Sequence, residues 1–90
     1  MNPYGKIASK IIKDQEVIIG PLATQIAQRV TGLKILDKEI TFESDPKLIL
    51  QSLVVEYKKI FGDASVEICK ESVHSIDVSL TADELPDILK

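Results

Sequence analysis

Apolar residues recur at Tyr4, Ile7, Ala8, Ile11, Ile12, Ile18, Ile19, Leu22, Ala23, Ile26, Ala27 and Val30, at gaps of three and four that keep one side of a helix apolar. Asn2-Pro3 ahead of this stripe reads as a helix start: asparagine caps an open amide, and proline supplies a preset helical φ where no intrahelical donor is needed. The phase continues through Gly20-Pro21. Proline inside a helix removes a hydrogen bond and clashes with the preceding turn, at a cost of about 3 kcal/mol. The residue before it also avoids the helical region. The pattern therefore predicts a break or sharp kink near Ile19 and Gly20, with Gly32 as an end cap.

The period changes after Gly32. Leu33, Ile35 and Leu36, then Ile40, Thr41 and Phe42, surround the polar pair Asp37-Lys38, which predicts two short strands and a tight turn. Asp-Lys lacks the glycine that favoured hairpin turns carry, so a single strand over Glu39 to Glu43 is the alternative. Asp45-Pro46 repeats the cap-then-proline start. Ile49, Leu50, Leu53, Val54, Tyr57, Ile60 and Phe61 follow at helical spacing. Gly62-Asp63 interrupts this helix while Ala64, Ile68 and Val73 keep its phase, so either a second helix follows or one long helix carries a weak point. From Ile76 the period drops to two, with Ile76, Val78 and Leu80 alternating with polar residues, the mark of a strand able to pair near Phe42. Thr81 and Glu84 have capping-box spacing, which predicts a last helical turn within Ala82 to Lys90.

Together these elements predict an α+β fold in one domain over residues 1–90. Two long amphipathic helical segments pack on a small two- or three-stranded sheet, with an all-α helical bundle as the alternative. A continuous helix from Pro3 to Thr31 would be about 43 Å long, whereas a globule of this length is only about 30 Å across. If both long segments stay unbroken, their stripes outrun the chain and self-association buries them; if they break at the glycines, a compact monomer becomes possible. A small sheet also leaves edges that a two-fold partner would cover. These arguments favour a homodimer or a subunit of a larger complex, with Ile11, Ile18, Leu22, Leu53, Tyr57, Phe61, Leu85 and Ile88 as candidate interaction residues. In residues 81–90, Leu85, Ile88 and Leu89 lie among acidic residues. Such a tail docks on another protein or closes its own core.

Composition narrows the function. Hydrophobic residues form 44% of the chain, too many for a disordered one. The net charge of -3 lacks the basic excess of a nucleic-acid binder. The charge is uneven: residues 1–34 carry a net +3 and residues 75–90 a net -3. Lys6, Lys10 and Lys13 interrupt the first apolar positions, so no secretory signal is expected, and the run from Val17 to Ala23 is too short to span a membrane. The same lysines beside an isoleucine-rich face fit the solvent side of a packed helix first and a helix lying on anionic lipid second. With a single cysteine no internal disulfide forms, which points to a reducing, cytoplasmic setting.

Catalytic chemistry has little to work with. Cys69 and His74 are the sole thiol and imidazole, and five residues along a helix sets them about 140° apart. They meet only if the helix ends between them. One Cys and one His cannot build a structural zinc set, and Asp83, Glu84 and Asp87 offer at most a weak cation site. Gly5, Gly20, Gly32 and Gly62 stand singly, so no phosphate-cradling loop is formed. The carboxylate pairs Asp14 with Glu16 and Glu67 with Glu71 sit in ordinary charged stripes among lysines. No catalytic, cofactor-binding or metal site is expected. The expected function is a non-enzymatic protein-interaction module, the alternative a binder of an apolar or lipid-like small molecule near Gly20-Pro21.

Overall fold

The computed structural model describes residues 3–36, 39–77 and 80–90. Helix α1 (Pro3–Ile19) stops at Gly20-Pro21, where the missing N–H and the proline ring end the hydrogen-bond ladder, and α2 (Leu22–Gln28) resumes in a new direction. Asn2, the expected cap, lies outside the described residues. Strands β1 (Leu33–Leu36) and β2 (Glu39–Phe42) form an antiparallel hairpin with Leu33 opposite Phe42 and Leu36 opposite Glu39. The expected turn residues Asp37 and Lys38 lie outside the described residues. Helix α3 (Pro46–Phe61) starts as its sequence dictates: the Asp45 carboxylate accepts from the Lys47 amide at 3.0 Å, and Pro46 occupies the first helical position. Gly62 adopts φ +75°, a left-handed conformation that side chains resist, and so separates α3 from α4 (Asp63–His74). Two 3₁₀ turns, Ala82–Glu84 and Asp87–Leu89, complete the chain.

The fold is thus α+β, with four helices packed on a two-stranded sheet among the described residues. The hairpin ladder sets aside the all-helical alternative. Helix α1 packs against α4, α2, α3 and β2, while α3 covers α4 and α2. Ile7, Ile11, Ile26, Leu50, Leu53, Tyr57 and Leu89 are wholly or almost wholly buried at this junction. Burial of each such aliphatic side chain stabilises the fold by about 1.5–3 kcal/mol. On the hairpin, Leu33, Ile35, Ile40 and Phe42 share the face turned to the core, and Lys34 and Thr41 point the other way.

The first long segment breaks at Gly20-Pro21 as its sequence predicts, and the second divides at Gly62; the principal extents are 29 × 26 × 19 Å, so helix length by itself gives no reason to dimerise. Two expectations need correction. Gly32 does not cap α2, which ends at Gln28 with Arg29 as its cap; Gly32 instead leads into β1, and the Glu43 amide donates to its carbonyl at 2.8 Å. The strand expected over Ile76 to Leu80 is absent at Ser75–Asp77 and Leu80, while Val78 and Ser79 lie outside the described residues. Ile76 is half-buried against the core and lines a hollow together with Lys6, Ser9, Lys10 and Lys13 of α1.

Candidate functional site

A buried polar seam joins α1 to α4. Gln15 stands on the apolar stripe of α1, only 1% exposed, and its Nε2 donates to the Ser65 carbonyl at 3.2 Å and to Cys69 Sγ at 3.4 Å. One turn further along α4, Ser72 Oγ lies 2.6 Å from Asp14 Oδ2 and 3.0 Å from its own helix's Ile68 carbonyl. A hydroxyl has one proton, and the shorter, charge-assisted contact to the carboxylate takes it. Lys10 Nζ closes the seam on the solvent side, 3.0 Å from Asp14 Oδ1. Partial burial pushes the Asp14 carboxyl up, but the Ser72 and Lys10 hydrogen bonds, with the charges of Lys10 and Lys13, outweigh it and leave its pKa below the usual value. Burial pushes the Cys69 thiol up to about 11, with the Gln15 hydrogen bond opposing. Every buried side-chain nitrogen and oxygen among the described residues has a partner. The seam is a fastening between helices, and its thiol is held in the protonated, unreactive form.

The remaining candidates are dispersed. His74 is exposed at the end of α4, five residues beyond the buried Cys69 on the same helix, so the two form no nucleophile–base pair. Among the described residues no three His, Cys, Asp or Glu side chains gather as a metal site. Glu84 turns back to accept from the Thr81 amide at 3.1 Å, and Asp87 pairs with Lys90. Glu67 is paired with Lys70 at 3.4 Å, as an ordinary surface charge.

Of the residues expected to make contacts, Ile11, Leu53 and Tyr57 are completely buried and hold this chain's own core; the Tyr57 hydroxyl donates to the Ala23 carbonyl at 2.7 Å. Leu85, Ile88 and Phe61 are half-buried against that core. The tail is part of the fold rather than free for an outside groove: Leu89 is fully buried, Tyr4 Oη donates to the Glu84 carbonyl, and Lys47 Nζ to that of Asp83, each at 2.8 Å. Only Ile18 and Leu22 remain at the surface, 58% and 37% exposed. Val17 joins them at 83%, so the corner between α1 and α2 carries three large apolar residues facing water. Helical phase did not single out Val17, because it lies off the core stripe.

Next to this corner runs a trough along α1. Its deeper part, about 360 Å³, lies between α1 and the hairpin and is lined by Ser9, Ile12, Lys13, Glu16, Thr24, Ile35 and Ile40. A shallower part of about 290 Å³ continues past Lys6, Lys10 and Ile76, sharing Ser9 and Lys13 with the first. Ile7, Ile11 and Ile12 face inward at 8% exposure or less, so α1 cannot lay its isoleucine face on a lipid surface while the domain is folded. No helix among the described residues is long and apolar enough to cross a membrane. No family model, curated protein or solved structure matches this chain.

Proposed function

We propose that the chain is a small non-enzymatic interaction module that works as a homodimer or as a subunit of a larger complex. The observation that carries this reading is the apolar corner of Val17, Ile18 and Leu22, three large side chains within six residues of one turn, all facing water. Single exposed apolar residues are common on any surface, whereas a cluster next to a turn is the usual look of a contact site. Two further features support it. Among the described residues each strand of the hairpin pairs on one side only, leaving an outer edge for another chain. The chain's sole thiol sits buried and its sole imidazole apart from it, which removes the commonest nucleophile–base pair. The buried free thiol also fits a cytoplasmic, reducing setting.

Ligand binding is the weaker alternative. Ile12, Ile35 and Ile40 give the trough an apolar floor, but four of its seven lining residues in the deeper part are polar, unlike the mostly apolar walls of small-molecule sites.

Size-exclusion chromatography with light scattering tests the reading. The protein is expected to move from its monomer mass of 10.0 kDa towards twice that as concentration rises. The double variant Val17→Asp/Ile18→Asp is expected to stay monomeric, with a thermal midpoint close to that of the wild type at concentrations too low to associate, since both side chains face water in the single chain. A wild-type chain that stays at the monomer mass throughout, and equals the variant in every assay of association, contradicts it.

A further inference from the structure

The trough on α1 differs from the apolar corner in one respect: its rim is basic. Lys6, Lys10 and Lys13 succeed one another at gaps of four and three along the helix, so all three line the same side of the shallower part. Lys10 is committed to Asp14 at 3.0 Å. Lys6 and Lys13 are exposed and have no carboxylate within ion-pair distance among the described residues. Lys13 shares the deeper part with the aliphatic side chains of Ile12, Ile35 and Ile40, and Lys6 shares the shallower part with half-buried Ile76. Among the described residues that line it, the acid is Glu16, which stands at the far end and accepts a hydrogen bond from Thr24 at 3.2 Å.

We infer that this trough binds an extended acidic peptide segment of a partner protein, its aliphatic side chains seated on Ile12, Ile35 and Ile40 and its carboxylates against Lys6 and Lys13. The inference rests on the interaction-module reading and adds the chemistry of a partner at a second face. Charge complementarity selects the occupant. Lys6 and Lys13 form no ion pair among the described residues, although the Asp14 charge acts on Lys13 from its own helix, and a lysine rim beside an apolar floor favours a segment that brings carboxylates and aliphatic groups together over a basic one. Length fits as well. The ten steps from Lys6 to Glu16 span about 15 Å of helix, the reach of four or five extended residues at about 3.3 Å each. Glu16 repels a carboxylate at its own end, so the peptide's acids belong over the first half of α1 and its aliphatic residues over the hairpin end.

The probe is a displayed library of random octapeptides selected on the intact protein, with Lys6→Glu/Lys13→Glu as the counter-target. Both lysines are exposed, so the variant is expected to keep the fold, with a midpoint lowered only slightly by the loss of the Lys13 charge near Asp14. Selection is expected to enrich peptides that carry two or more Asp or Glu next to Leu, Ile or Val. Their affinity is expected to fall at least about tenfold on the variant, a change of about 1.4 kcal/mol. Amide shifts on titration are expected at Ser9, Ile12, Lys13, Ile35 and Ile40. Enrichment of basic or neutral peptides, no enrichment over an unrelated protein, or acidic binders indifferent to the variant overturns the inference. Co-sedimentation with phosphatidylserine vesicles, with no peptide enriched, does so too and assigns the lysines to a membrane surface. The corner reading fails on a different result, the absence of concentration-dependent mass, so the two can fall separately.

Discussion

Ser72 on α4 donates its hydroxyl to Asp14 on α1 at 2.6 Å, so two residues 58 apart in sequence join their helices through a carboxylate that the contact favours in its ionised form. Asp14 has a folded-state pKa below its ordinary value, the result of the Ser72 and Lys10 bonds outweighing partial burial. A depressed carboxylate contributes stability in full above its unfolded pKa of about 3.9, and that contribution is lost as pH falls through the folded value. Urea unfolding at neutral pH is expected to show Ser72→Ala less stable by about 1 kcal/mol. The gap is expected to close in strong acid. A loss of equal size at both pH values means that the carboxylate's charge has no part in the contact.

Cys69 tests the seam from its other side. Burial lifts the thiol from an ordinary 9.0 to about 11, which lowers its thiolate fraction at neutral pH about a hundredfold. Labelling with iodoacetamide is expected to be at least that much slower in the native protein than in urea. Rapid native labelling would mean that the seam opens readily. Gln15→Leu is expected to leave the Ser65 carbonyl without its side-chain donor and, by removing the hydrogen bond that opposes the rise in the thiol's pKa, to slow native labelling further.

The tail offers a larger effect. Leu89 is fully buried against α3 and α4, so Leu89→Ala is expected to cost about 2–5 kcal/mol by denaturant unfolding. Deleting residues 82–90 is expected to lower the thermal midpoint strongly, because Tyr4 and Lys47 also lose the carbonyls that they hold. An unchanged midpoint would free the tail for outside contacts.

Gly32 reports on the hairpin's seat. Its φ of +87° is one that side chains resist, and a Cβ there would lie 2.9 Å from Ile49 Cδ1, within the core. Gly32→Ala is expected to destabilise by more than about 1 kcal/mol, the combined result of strain and the displaced isoleucine. A neutral substitution would show that β1 enters the fold by another path.

Much of this architecture is legible in the chain because its punctuation is strong. Gly20-Pro21 ends α1 for a covalent reason, and Asp45-Pro46 starts α3 for another, so both boundaries follow from single residues. The period-two segment at Ile76 misleads because alternation describes any chain that buries every second residue, whether or not a strand lies beside it, and Ile76 is half-buried against the core with no ladder at residues 75–77. Contact surfaces are harder to read. Ile11 and Ile18 share a helical phase, yet the first is buried and the second 58% exposed, because α1 ends just beyond Ile18 and the core beneath has already turned away with α2. Gln15 was equally hidden: a polar residue on an apolar stripe gives no sign of a partner until α4 brings Ser65 and Cys69 against it.

Amide nitrogen–proton spectra of the labelled protein, followed on dilution from millimolar to low micromolar concentration, test the central reading most directly. Association through the corner predicts shifts that move with concentration at Val17, Ile18, Leu22 and their neighbours and vanish in Val17→Asp/Ile18→Asp. Spectra that stay identical across the series, with relaxation rates of a 10.0 kDa particle throughout, contradict it.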